Sequence, residues 1–420
     1  MDNAAAQAFT PSTTPAVRAR SWLTIIGPGI VVMLADTDAG SVVTAAQSGA
    51  QWGYKLLALQ LVLIPILFVV QELTVRLGLV TGRGHGELIR ERFGAGWAWL
   101  SVSTLMFACV GALITEFTGI AGAGLLFGIP AWASMILAVT ALLAIVWTGS
   151  YVSVERIAIA LGAFELAFIA VVCLAHPNAH VVMQGLISVP LHDSKYLYLA
   201  AANVGAVIMP WMVFYQQSAV LDKGLTTKDL KVARFDTAVG AVVTQVIMAA
   251  VLMTTAATLG RTNPNAPLNT VQQIADALIP FLGRTAGQWV FVLGILGAAL
   301  VAAIVVSLTA AWGLGEVAGY KRSLEHHPRE APWFYGIFTF GVLAAGAIVA
   351  SGINLVSVTL AVEVMNALLL PVVLGFLFLL AIKTLPESHR LKGAYAWLVG
   401  LVCLATAGFG VYAGLTGAFS

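Results

Sequence analysis

Ala35-Asp36-Thr37-Asp38-Ala39-Gly40-Ser41 places two carboxylates and a glycine in the middle of an apolar segment running from about Ile25 to Ala50. At a helical rise of about 1.5 Å per residue such a segment is long enough to cross a bilayer, and Asp38 falls near its midpoint. A charge at that depth is costly, so function is the first reading, and a carboxylate there calls for a cation. Composition agrees: 60% of the 420 residues are hydrophobic and 10% are charged, with a mean hydropathy of +0.93. The sequence reads as an all-α integral membrane protein.

The formal net charge of +2 is close to balanced. The basic residues lie in loops and form no face that tracks phosphates, so nucleic acid is not an expected partner. Cys109, Cys173 and Cys403 stand singly in apolar stretches, without zinc or disulfide spacing, and read as core filler. No nucleophile with a base, HExxH pair or phosphate loop is visible, so no catalytic residue, enzymatic activity or cofactor is expected. Residues 1–21 are small, polar and weakly basic; lacking a signal peptide's apolar run and cleavage site, they are expected to form a disordered cytoplasmic tail.

Apolar runs near 24–49, 56–81, 98–125, 131–149, 155–175, 196–220, 233–259, 286–316, 333–351, 355–382 and 393–417 predict about eleven membrane spans. With the N-terminus inside, sixteen of the twenty-one Lys and Arg residues fall on the cytoplasmic side, and only Lys55, Lys195, Arg261 and Arg284 fall outside. This asymmetry orients a multi-pass protein of the plasma (inner) membrane, N-terminus cytoplasmic. Residues 22–420 are expected to form a single transmembrane domain, because no linker is long enough for a separate soluble one.

The run from about Leu197 to Leu221 carries Met209-Pro210 at its centre, and proline there interrupts the backbone ladder. The breaks at Asp38-Ala39-Gly40 in the first span and Met209-Pro210 in the sixth are five spans apart, so the broken spans run in opposite directions. Two inverted five-helix repeats have that property, with the broken first helix of each lining a midplane site. Repeat one is expected over about 22–175, repeat two over about 196–382, and an extra helix over about 393–417. Carbonyls freed at such breaks, beside a carboxylate, make a cation site. The plainer reading of each break alone is a proline kink and a glycine packing contact. Their matched positions, with an acid at one of them, favour the site.

Several motifs in order resemble one family. They are Gly27-Pro28-Gly29, Asp38-Ala39-Gly40-Ser41, Gln47-Ser48-Gly49-Ala50 with Gly53-Tyr54-Lys55-Leu56-Leu57, Arg76-Leu77-Gly78, Leu125-Leu126-Phe127-Gly128-Ile129-Pro130 and Ala206-Val207-Ile208-Met209-Pro210. Together they look like the natural resistance-associated macrophage protein (Nramp) family of divalent metal transporters, over about residues 22–417. The resemblance implies a leucine-transporter-like fold. It also implies a metal site in which Asp38 is joined by Met209 and the carbonyls of Ala35 and Ala206, with Ser41 contributing directly or through water.

The departures point to a branch. The family motif Asp-Pro-Gly-Asn keeps its aspartate as Asp38 but has Ala39 for proline and Ser41 for asparagine; Met-Pro-His reads Met209-Pro210-Trp211, and a second histidine position holds Gln216. Of a pair of third-span acids only Glu116 remains, with Leu113 at the other position. Losing groups that titrate near neutral pH removes the chemistry that proton coupling needs. The pattern resembles the Nramp-related magnesium transporter branch. Magnesium is hard, octahedral and slow to shed water, so it suits a roomy site with waters retained. Ser41 fits that site, whereas the Met209 thioether favours softer transition metals unless it merely packs beside Pro210.

Other buried polar residues have two readings each. Glu116 matches the family's retained acid, or is a carboxyl paired with Thr115 or Thr118. Glu363 and Asn366, three apart and hence on one face, would hold the ion's outer waters or bond to each other. Glu165 and Glu72 carry weaker signals, with Glu72 and Arg76 spaced as an ion pair, and Asp36 points away from Asp38 on an intact helix.

The expected function is import of Mg²⁺, and also Mn²⁺, by alternating access without obligatory proton coupling. The alternative is a proton-coupled manganese transporter. A more distant one is an amino acid or amine symporter in which Trp211, Phe214 and Tyr215 cage an ammonium. The expected partners are divalent metal ions and the lipid bilayer, and no protein partner is predicted.

Overall fold

The computed structural model describes residues 25–262, 268, 270–277, 282–352 and 355–419. The tail expected over 1–21 lies outside the described residues. The first span is two helices, α1 (Pro28–Asp36) and α2 (Ala39–Trp52), bent by 48° at the acidic stretch. There follow α3 (Leu57–Thr81), the short α4 (His85–Phe93), α5 (Ala95–Leu125) and α6 (Ala131–Val146). The fifth span is α7 (Tyr151–Gly162), a 3-10 turn at Ala163–Leu166, and α8 (Ala167–Ala175); α9 (Ala179–Ile187) is short. The sixth is α10 (Ser194–Val207) and α11 (Pro210–Asp222), followed by α12 (Leu230–Ala257), α13 (Arg284–Ala318), α14 (Pro332–Ala350), α15 (Leu355–Lys383) and α16 (Gly393–Ala418).

Among the described residues nine helices are long and apolar enough to cross a membrane, the bent pair α1 and α2 makes a tenth, and the shorter apolar α6 occupies the expected fourth span. The two breaks differ in degree. The sixth span runs on as one 29-residue unit across its interruption, where the first is sharply bent. Proline takes the first position of α11, where it needs no N–H and its ring presets helical φ.

Burial sorts the helices. The sixth span is almost wholly enclosed, packed on α15, α16, α3 and α13, whereas the fifth keeps a largely exposed apolar face. Phe107, Leu137, Phe340, Leu401 and Leu404 are exposed, with Trp97, Trp132, Trp147, Trp289, Trp333 and Trp397 near helix ends. That is the distribution of a surface bathed in hydrocarbon with aromatic rings at its borders.

The N-terminal end of α1 is held by charged groups from three other spans. Gly27 and Gly29 donate their N–H groups to Oδ2 of Asp236 on α12, at 3.2 and 2.8 Å. Lys223, just past α11, donates to the carbonyl of Ile26 at 2.8 Å and pairs with Glu155 of α7 at 2.7 Å. At the same end α4 is tied down: Oε2 of Glu316 on α13 accepts from Gly86 N–H at 2.7 Å, and its Oε1 accepts from the Ser218 hydroxyl at 2.7 Å. Glu72 receives Arg76 and Arg234, so the expected ion pair is a triad.

His85 opens α4 outside the spans, fully buried, with Nδ1 3.2 Å from Oε1 of Gln217 and Nε2 without a partner. Burial lowers its pKa to about 4. The unfolded chain takes up this proton near pH 6.5 and the folded chain only near 4, so stability falls as the pH drops through that window, by up to about 3 kcal/mol. Denaturation midpoints at pH 7 and pH 5 are expected to show part of this loss, and His85→Gln is expected to reduce it.

Candidate cation site at the helix breaks

The first break is built by its own residues. After α1 ends at Asp36, Thr37 leaves helical geometry and Asp38 is extended, at φ −65° and ψ 174°. Asp38 caps α2, its Oδ1 accepting the N–H of Ser41 at 2.6 Å. The N–H of Ala39 is taken by Oε2 of Glu116 on α5 at 3.1 Å, and Oε1 of Glu116 accepts from the Thr115 hydroxyl at 3.3 Å. The positive end of α2 thus faces two carboxyls, while the last carbonyls of α1, Ala35 among them, have no helical donor. Oδ2 of Asp38 has no hydrogen-bond partner although the residue is fully buried. A buried oxygen left this way suits a cation.

The second break meets the first directly. Ile208 leaves helical geometry and Met209 is extended between α10 and α11, and the Ser41 hydroxyl donates to the carbonyl of Ala206 at 2.9 Å. That bond leaves the second lone pair of the Ala206 carbonyl for another partner. Met209 is fully buried at the start of α11.

α15 closes the third side. The Asn366 amide donates to Oε2 of Glu363 at 3.1 Å, so the pair shares one face as its spacing predicts. The other oxygen of Glu363 comes up to Gly40, where a methyl group would collide with it and lie 3.3 Å from Oδ1 of Asp38. This approach is possible because Gly205 of α10 lies directly against the α15 backbone at Glu363.

Among the described residues no ion pair reaches Asp38, Glu116 or Glu363. Neighbouring buried carboxyls without a basic partner need a cation or shared protons. Among the described residues no three His, Cys, Asp or Glu side chains converge tightly enough to hold a metal by themselves. Any cation held at the breaks would therefore need donors other than a cluster of carboxylates. A cavity of about 690 Å³ lies at the far ends of these spans, bordered by Trp52, His176, Asn178, Lys55 and Arg261, and its two fixed cations make it a poor seat for a third.

The remaining residues singled out from sequence turn elsewhere. Gln216 donates its amide to the hydroxyl of Thr237 on α12 at 2.8 Å, and Trp211 is buried with its indole N–H unpartnered. Phe214 packs edge-on to His85 with centroids 4.8 Å apart, and Tyr215 tilts against Trp312 at 5.6 Å. Rings so engaged in the core do not form an open ammonium cage, which removes the observation behind the amine symporter. The sequence reading missed Asn203, which accepts from Gln60 at 2.6 Å and donates to Ser48 at 2.8 Å, linking α10, α3 and α2. It also missed Asp236. Both are polar residues in apolar runs, the signal that drew attention to Glu116.

Two oppositely directed broken spans meeting at a buried carboxylate, in an all-helical chain of this hydropathy, define a multi-pass membrane transporter of the inverted-repeat class. The chain belongs to the Nramp family: the sequence pattern of that family, described as natural resistance-associated macrophage protein-like, matches residues 29–416. It is 27% identical over 406 residues to the divalent metal cation transporter MntH of Burkholderia ambifaria, covering 94% of this chain and 87% of the relative. It is 28% identical over 301 residues to the MntH of Chromohalobacter salexigens, 69% of each chain. In fold it resembles a manganese transporter of Eremococcus coleocola, with a TM-score of 0.74 at 19% identity, covering 97% of this chain and 91% of that one. It also resembles MhsT, solved with L-phenylalanine, at a TM-score of 0.62 and 16% identity, covering 94% of this chain and 98% of that one.

Proposed function

We propose that the chain imports divalent cations, Mg²⁺ together with Mn²⁺, across the plasma membrane by alternating access and without obligatory proton movement, its N-terminus cytoplasmic. The observation that carries the cation reading is the orphaned, fully buried Oδ2 of Asp38 between two helix breaks. The absence of proton coupling rests on Trp211, Gln216 and Leu113 standing where the family has groups able to carry protons. Membrane potential supplies the drive: a doubly charged ion moving inward gains about 4.6 kcal/mol per 100 mV.

A second reading, proton-coupled manganese import, is favoured by the Met209 thioether and by the relatives, which are named as divalent metal and manganese transporters. Glu116 would then be the proton carrier. Uptake into proteoliposomes at fixed negative potential, with Mg²⁺ and Mn²⁺ in separate runs and an internal pH dye, decides between them. Mg²⁺ entry without acidification is the expected result; Mn²⁺ entry with acidification and no Mg²⁺ entry would replace it by the second reading. Met209→Ala is expected to weaken Mn²⁺ uptake about tenfold more than Mg²⁺ uptake, because sulfur favours the softer ion. Equal losses would show that the sulfur is not a ligand.

A further inference from the structure

The unwound residues between α1 and α2 face two ways. Around Asp38 the backbone meets Glu116 of α5, Ala206 of α10 and Glu363 of α15, whereas Thr37 and Asp36 reach Thr244 of α12. The hydroxyls of Thr37 and Thr244 lie 2.6 Å apart, and Thr244 donates to Oδ2 of Asp36 at 3.5 Å. Oδ1 of Asp36 has no partner, although the residue is only 1% exposed. Opposite them the fifth span tightens into the 3-10 turn Ala163–Leu166, which carries Glu165. That carboxyl is fully buried with both oxygens lacking a hydrogen-bond partner, and Thr37, Asp38 and Asp36 lie within its electrostatic reach.

A buried carboxyl with neither oxygen satisfied is costly, and apolar packing alone would favour a hydrophobic residue at 165. A 3-10 interruption inside a helix often marks a functional position. Among the described residues no ion pair reaches Asp36 or Glu165.

We propose that Asp36, Thr37, Glu165 and Thr244 form a second cation site, directly beside the one at Asp38, for a hard divalent ion. Two carboxylates match a charge of +2, two hydroxyls add neutral oxygens, and water would fill the remaining positions of an octahedron. The set contains no sulfur, unlike the break at Met209, so it selects for hardness. An ion here would tie the unwound segment of the first span to the fifth span and α12. The site rests on the chain handling divalent ions.

The test counts Mn²⁺ bound to the purified full chain in detergent, by equilibrium dialysis against radioactive Mn²⁺. The intact chain is expected to bind two ions, Glu165→Gln one, Asp38→Asn one, and the double variant none. One ion in the intact chain, lost in Asp38→Asn and kept in Glu165→Gln, would overturn the second site and leave the first standing. Two ions in both the intact chain and Glu165→Gln would overturn it as well. Thr244→Val, nearly the same shape without the hydroxyl, is expected to weaken one of the two ions about tenfold, and it keeps the test decisive if Glu165→Gln fails to fold.

Discussion

Replacing Asp38 by asparagine is expected to abolish uptake of both Mg²⁺ and Mn²⁺ while leaving the fold intact. The substitution separates two jobs of one side chain. Asparagine caps a helix about as well as aspartate, so the bond to Ser41 N–H survives and α2 still starts at Ala39. What disappears is the negative charge between the breaks. At about 4 Å and an effective dielectric of about 20, a unit charge pair is worth about 4 kcal/mol, so losing it lowers affinity about a thousandfold even before the ion's second charge is counted. Proteoliposome uptake measures the loss, and an unchanged thermal midpoint excludes misfolding. Retained uptake would remove the site as assigned.

Lys223→Ala is expected to be the most destabilising single change at the Gly27 end. Lys223 and Glu155 are 9% and 8% exposed, and the same ammonium holds the carbonyl of Ile26 just before α1. Removing it leaves a buried carboxylate uncompensated, at a cost of about 3–5 kcal/mol. The double change Lys223→Met with Glu155→Leu is expected to recover most of that loss, because it removes both charges and keeps the bulk. Chemical denaturation of the two variants measures both effects. An equal loss in the two would mean that packing, not the ion pair, holds this end together.

Much of the architecture was legible in the sequence because its cause is local. A run of apolar residues long enough to cross a bilayer must satisfy its own backbone, so each of the eleven predicted spans has a helical counterpart. Pro210 marked one break through its own backbone chemistry; the other, expected at Asp38-Ala39-Gly40, falls at Thr37 and Asp38 because Asp38 caps α2 and Gly40 lies within that helix, and the three-residue spacing of Glu363 and Asn366 was enough to predict their shared face. The difference in bend between the breaks was not legible, because it depends on how the flanking helices pack. Nor were the roles of Trp211, Phe214 and Tyr215, whose clustering in sequence suggested a cage that the fold uses as core.

By itself, then, the sequence determined a multi-span helical membrane protein with two breaks and a carboxylate at one of them. Only the tertiary structure decided which polar groups meet there. Ala39 and Glu116 are 77 residues apart, Ser41 and Ala206 are 165 apart, and Gly27 and Asp236 are 209 apart. No local periodicity encodes such pairings. They follow from close approaches such as Gly205 against the backbone at Glu363, and from the cost of leaving a buried donor or acceptor unmatched.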